Sequence, residues 1–153
     1  MIPDSIHKVT YAYYIKWRKG IYMLYHLSKD SKLETLTPKI PECAISMYEN
    51  IETKRVCFSD SIDGCLSALQ TPGKYYVYVP IENIQEESLY YPTVDDVRDA
   101  KYTHEVWVLS EVKVKCIGVI KSPNIYTTES HNSGRGRVTV FHYQYKWLKY
   151  KKK

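Results

Sequence analysis

The sequence predicts an α+β domain built on antiparallel sheets, and three observations carry that expectation. Tyrosine is the outlier of the composition, with 16 copies against three Trp and two Phe in 153 residues. Its ring packs on a half-buried strand face while its hydroxyl stays wet. Short aromatic and β-branched runs recur along the chain, separated by Pro, Gly and Ser. One segment alone has strong helical spacing of its apolar residues.

The elements follow in order. Residues 9–17 (Val-Thr-Tyr-Ala-Tyr-Tyr-Ile-Lys-Trp) read as a strand, which Arg18-Lys19-Gly20 turns into a second over 21–27. Pro38 and Pro41 bracket an irregular stretch that runs to residue 53, and 55–59 is a short strand. A helix follows it, because Ser59 or Asp60 can cap an N-terminus and Ile62, Cys65, Leu66 and Leu69 fall at i, i+3, i+4 and i+7. Thr71-Pro72-Gly73 stops that helix, and 74–80 alternates into another strand. Residues 82–102 are acidic and irregular, with one helical turn capped by Thr93. Residues 105–109 and 112–120 are strands, the second changing from alternating to continuously apolar as it enters the core. Residues 130–136 are small and polar and read as a flexible loop before a last strand over 137–147.

Length and composition suit one domain with its own core, placed at 1–147 with a basic tail at 148–153. The net charge of +5 comes from Lys146, Lys149, Lys151, Lys152 and Lys153, without which 17 basic residues face 17 acidic ones. The basicity is thus C-terminal, a solvated terminus or a contact for the phosphates of nucleic acid. The four cysteines (Cys43, Cys57, Cys65, Cys116) show no C-x-x-C spacing and no His pair nearby, so no metal is expected. Three lie in apolar runs, the habit of reduced cytosolic thiols. The first residues lack the basic-then-apolar order of a signal peptide, and no apolar run is long enough to cross a membrane. A cytoplasmic protein is expected.

Three segments carry the chemistry: Leu24-Tyr25-His26-Leu27-Ser28, Arg55-Val56-Cys57-Phe58-Ser59-Asp60 and Glu105-Val106-Trp107-Val108-Leu109. Their order, and the element that follows each, resembles the ADP-ribosyltransferase superfamily, in its diphtheria-toxin and poly(ADP-ribose) polymerase branch with small bacterial and phage members. There, a leucine/tyrosine-histidine-glycine-serine/threonine strand comes first. A glycine-hydrophobic-tyrosine-phenylalanine-small-aspartate strand then runs into a helix, and a glutamate opens a third strand. The likeness spans residues 21–121.

The resemblance implies split antiparallel sheets with one or two short helices, and NAD as the substrate that donates ADP-ribose to a protein, nucleic-acid or small-molecule acceptor. It makes Glu105 the catalytic carboxylate, stabilising the positive charge that builds on ribose as nicotinamide leaves. His26 becomes the dinucleotide anchor, with Ser28, Cys57 and Ser59 at cofactor-binding positions. Two positions depart from the pattern. Cys57 stands where the family has the tyrosine that stacks on nicotinamide, leaving Tyr48, Tyr75 or Tyr91 as candidate rings. Leu27 stands where it has glycine.

Each residue also has a plainer role. His26 can be a hydrogen-bonded strand histidine, Glu105 an exposed gatekeeper at a sheet edge, Cys57 a small buried hydrophobe and Ser59 a helix cap. His7, His104, His131 and His142 read as surface residues. Arg135 and Arg137, flanking Gly134 and Gly136, suit either a phosphate grip or a hairpin loop. Two other functions therefore stand beside the enzyme. One is a non-catalytic binding or inhibitory module on the same fold, such as a phage or mobile-element protein aimed at host machinery. The other is a basic-tailed nucleic-acid-binding protein.

Overall fold

The computed structural model describes residues 23–133 and 136–149. In them the chain runs β1 (His26–Ser28), β2 (Thr35–Leu36), β3 (Val56–Ser59), α1 (Ile62–Leu69), β4 (Gly73–Pro80), a 3-10 turn (Glu86–Ser88), β5 (Leu89–Tyr90) and α2 (Ala100–Thr103). It continues through β6 (Glu105–Val108), β7 (Val112–Ser122), β8 (Tyr126–Ser133), β9 (Gly136–Tyr143) and β10 (Lys146–Leu148). The pairings of these strands are antiparallel. The architecture is mostly antiparallel sheet with two short helices.

The larger sheet has the order β1-β4-β7-β10, with β2 also paired to β7; β3-β6-β5 is a smaller sheet and β8-β9 a hairpin. A bridge between Tyr25 and Ser59, with both backbone hydrogen bonds made, ties β1 to β3. Successive side chains alternate between strand faces. Val56, Phe58, Val106 and Val108 of the small sheet therefore share one face, and they pack with Leu24, Tyr78, Val112 and Val114 into the main core. The second face of the large sheet carries Leu27, Tyr75, Val77 and Ile120, and Ile62, Cys65 and Leu66 of α1 cover it together with Tyr143. The second face of the small sheet carries Cys57 and Trp107, under Val97 and Ala100.

The helix over residues 62–69 forms as its apolar spacing requires, but its cap differs from expectation. Ser61, in extended conformation, accepts from the Gly64 amide at 2.9 Å. Ser59 is unavailable because it is still in β3, paired with Glu105, and its hydroxyl donates to the Thr103 carbonyl at 2.8 Å. Gln70 closes the helix in the left-handed conformation, its N–H reaching the Leu66 carbonyl.

Other expectations shift for equally local reasons. The strand expected over 9–17 lies outside the described residues, as do residues 21 and 22 of the strand expected over 21–27, whose described part runs from the Tyr25 bridge into β1. Most of the loop expected over 130–136 belongs to β8, whose residues pair one for one with β9. The sequence hid this strand because its side chains on both faces (Thr128, Glu129, Ser130, Asn132) are polar and exposed. The last expected strand divides at Gln144 and Tyr145, β9 staying on the hairpin while β10 crosses to β7. The Thr93 turn forms, with the Asp96 and Val97 amides on the Thr93 carbonyl, and α2 follows it.

Candidate active site

Strands β3 and β6, which carry two of the segments singled out above, are paired neighbours, and the third segment is tied to β3 by the Tyr25–Ser59 bridge just before β1. Ser59 stands directly opposite Glu105 and Cys57 opposite Trp107 in the β3–β6 ladder. Arg55, Cys57, Ser59, Glu105 and Trp107 consequently share one face of the small sheet.

Strand β5 pairs only with Trp107 and Val108 of β6, so Glu105 lies beyond that ladder, and it is the burial of its carboxylate that speaks against a solvent-facing gatekeeper. Its carboxylate accepts from the Trp107 indole Nε1 at 2.7 Å. Burial raises its pKa above the ordinary carboxylate range, with the charge of Asp99 adding to the shift. The Trp107 and Cys57 hydrogen bonds and the Arg55 charge pull the other way. Burial wins, the Arg55 guanidinium being shared with Glu49, to which it is ion-paired.

That guanidinium belongs to Arg55, whose side chain is fully buried. Its Nη1 donates to the Asn50 and Thr53 carbonyls at 2.8 Å each, and its Nη2 reaches Glu49 at 3.4 Å. Its plane lies 3.8 Å over the centre of the Trp107 ring. Glu49 is pushed up to about 7, by burial first and then by Glu105, against the pull of Arg55.

Cys57 lies beside Trp107 and Ala100, and burial raises its thiol pKa well above the ordinary value. A thiol so held stays protonated and is a poor nucleophile, in line with its reading as a small hydrophobe. The aromatic ring beside it is Trp107, with Tyr90 5.4 Å beyond. Of the candidate rings, Tyr48 is exposed, Tyr75 is buried in the core under α1, and Tyr91 packs on the main core.

His26 lies elsewhere. Its Nδ1–H donates to the Cys57 carbonyl at 2.8 Å, which fixes the tautomer and leaves Nε2 as an acceptor when the ring is neutral. Burial lowers its pKa, and the charge of Lys39 adds to the shift. Its ring packs on Phe58 at 5.8 Å, and Phe58 points to the opposite face of β3 from Cys57 and Ser59. His26 and Glu105 thus lie on strands to either side of β3 and on its opposite faces. Ser28 shares the His26 face of β1, and its hydroxyl accepts from the Asp30 amide.

Arg55, Trp107 and Glu49 are the residues that sequence reasoning passed over. Arg55 and Trp107 were detectable by alternation alone, each sitting two residues from a chosen position on the same strand face. His142 and His104 are not idle surface residues: His142 bridges Asp63 and Glu129, and His104 reaches Asp60. Arg135 lies outside the described residues, and the Arg137 carbonyl accepts from Arg98. Among the described residues no group of three His, Cys, Asp or Glu side chains is placed to hold a metal, and no helix is long and apolar enough to cross a membrane. No family model matches the chain, and neither does any curated protein or solved structure.

Proposed function

We propose that this chain is an ADP-ribosyltransferase-like domain that binds NAD and transfers ADP-ribose to an acceptor. The observation that carries the reading is the side-by-side arrangement of β1, β3 and β6, with Ser59 paired to Glu105 and His26 bonded to the Cys57 carbonyl. Residues 26, 57 and 105, far apart in sequence, are brought together around β3, Cys57 and Glu105 on one face and His26 on the other. Glu105 supplies the carboxylate for the ribosyl cation, held by the Trp107 indole. The Nε2 of His26 accepts from a ribose hydroxyl. Only ionised Glu105 can stabilise a cation, so turnover rises with pH through its raised pKa.

A second reading, a non-catalytic NAD-binding or inhibitory module on the same fold, is favoured by one observation. His26 and Glu105 occupy opposite faces of β3, with Cys57 where a stacking tyrosine would stand. Incubation with NAD labelled in the nicotinamide and adenosine halves separates the two. Nicotinamide release that Glu105→Gln abolishes and His26→Ala weakens supports the enzyme. Saturable NAD binding without release supports the module, and absence of NAD binding removes both.

A further inference from the structure

Three lysines stand in a line across the large sheet. In the β4–β7 ladder Lys74 is directly opposite Lys121, and in the β7–β10 ladder Lys121 is directly opposite Lys146. Residues directly opposite in a ladder share a face, so the three side chains project together, and all are exposed. Like charges in that relation repel and weaken a sheet. Among the described residues no carboxylate lies within ion-pair distance of any of them. Asp30, the acid just past the end of β1, is turned to the Lys32 amide at 2.8 Å. The Lys74 ammonium lies 5.5 Å over the Tyr76 ring, and Lys149 extends the charge past β10.

Neighbouring strands lie roughly 4.8 Å apart, so the row spans about 10 Å. One strand of a nucleic acid carries a phosphate about every 3.4 Å along its helix axis, so the row matches the span of about four consecutive phosphates. We propose that this row on β4, β7 and β10 binds the phosphate backbone of a nucleic-acid strand. The site is a feature of the folded sheet that takes Lys146 from the basic C-terminal segment and two lysines from elsewhere in the chain, and it does not rest on the NAD reading. Phosphate contacts carry no base identity, so binding is independent of sequence.

The test is binding of fluorescent 20-nucleotide single-stranded DNA and RNA, and of duplex DNA, to the full chain at several KCl concentrations. Lys74→Gln/Lys121→Gln/Lys146→Gln is compared with Lys113→Gln/Lys115→Gln, which removes charge from the opposite face of β7. For single strands the triple variant is expected to flatten the log–log salt dependence by about two units, while the control pair leaves it nearly unchanged. Its melting temperature should not fall, since a repulsive row has been relieved. Equal losses from both variants, loss only on removing residues 149–153, or binding to anionic vesicles without binding to nucleic acid would each overturn the proposal.

Discussion

The Trp107 indole donates to the Glu105 carboxylate at 2.7 Å from two residues along the same strand face. One strand thus carries both the acid and the donor that holds it, while the Arg55 guanidinium lies 3.8 Å over the same ring. The tryptophan orients the carboxylate and fills the space beneath the cation.

Replacing Trp107 with Phe keeps most of the ring and removes the donor. Glu105 then loses a hydrogen bond that favours its charged form, and its pKa rises further. Stability should drop by about 1–3 kcal/mol, with the larger loss at pH 8 than at pH 5. Urea unfolding at the two pH values measures this. Equal losses would show that the indole acts through packing alone.

Glu49 carries a linkage of its own. Its folded-state pKa of about 7 lies above the ordinary 4.5, so the unfolded chain ionises more readily. Its contribution favours folding at low pH and is lost as pH climbs from 4.5 through about 7. Glu49→Gln should abolish that part of the decline, leaving the variant more stable than the parent at pH 8 relative to pH 4. Thermal melts across this range supply the comparison.

Gly64 inverts the usual helix rule. In an exposed helix interior Gly→Ala stabilises by up to about 1 kcal/mol. Here a Cβ would collide with the Ser59 hydroxyl and the Thr103 carbonyl, the pair that joins β3 to the end of α2. Gly64→Ala should destabilise by about 1–3 kcal/mol. Ser59→Ala/Gly64→Ala, which removes one of the two obstacles, should recover part of the loss in denaturant titrations.

The β8–β9 hairpin docks on α1 partly through charge. His142 Nδ1 lies 3.1 Å from Asp63 on α1, and its Nε2 lies 2.7 Å from Glu129 on β8. The Glu129 hydrogen bond, helped by Asp63, raises the His142 pKa, and the His142 hydrogen bond in turn lowers that of Glu129. The imidazolium's contribution is complete below the ordinary histidine pKa and fades as pH rises through the raised value. That of Glu129 fades as pH falls through its lowered value. Between those limits His142→Gln should speed amide exchange in β9, and the gap from the parent should close in alkaline solution.

Much of the sheet could be read from sequence because its strands announce themselves locally. Phe58 between Val56 and Asp60, or the Tyr-Tyr-Val-Tyr-Val run of β4, leaves little choice of conformation. Strand β8 could not be read, because its Thr, Ser, Asn and Glu side chains face solvent and only its backbone pairing with β9 makes it a strand. The site divides in the same way. The order of His26, Cys57 and Glu105 was visible, and so was the helix after β3.

The sequence by itself determined the antiparallel character, the helix over residues 62–69 and the three strands that carry the candidate chemistry, since these follow from period, capping and composition within short windows. The tertiary structure alone decided which faces those strands present. A single bridge between Tyr25 and Ser59 sends His26 toward Phe58, while the β3–β6 register sends Glu105 toward Trp107 and Arg55. Register fixes the face of every side chain on a strand, and it is set by long-range pairing that no local window contains.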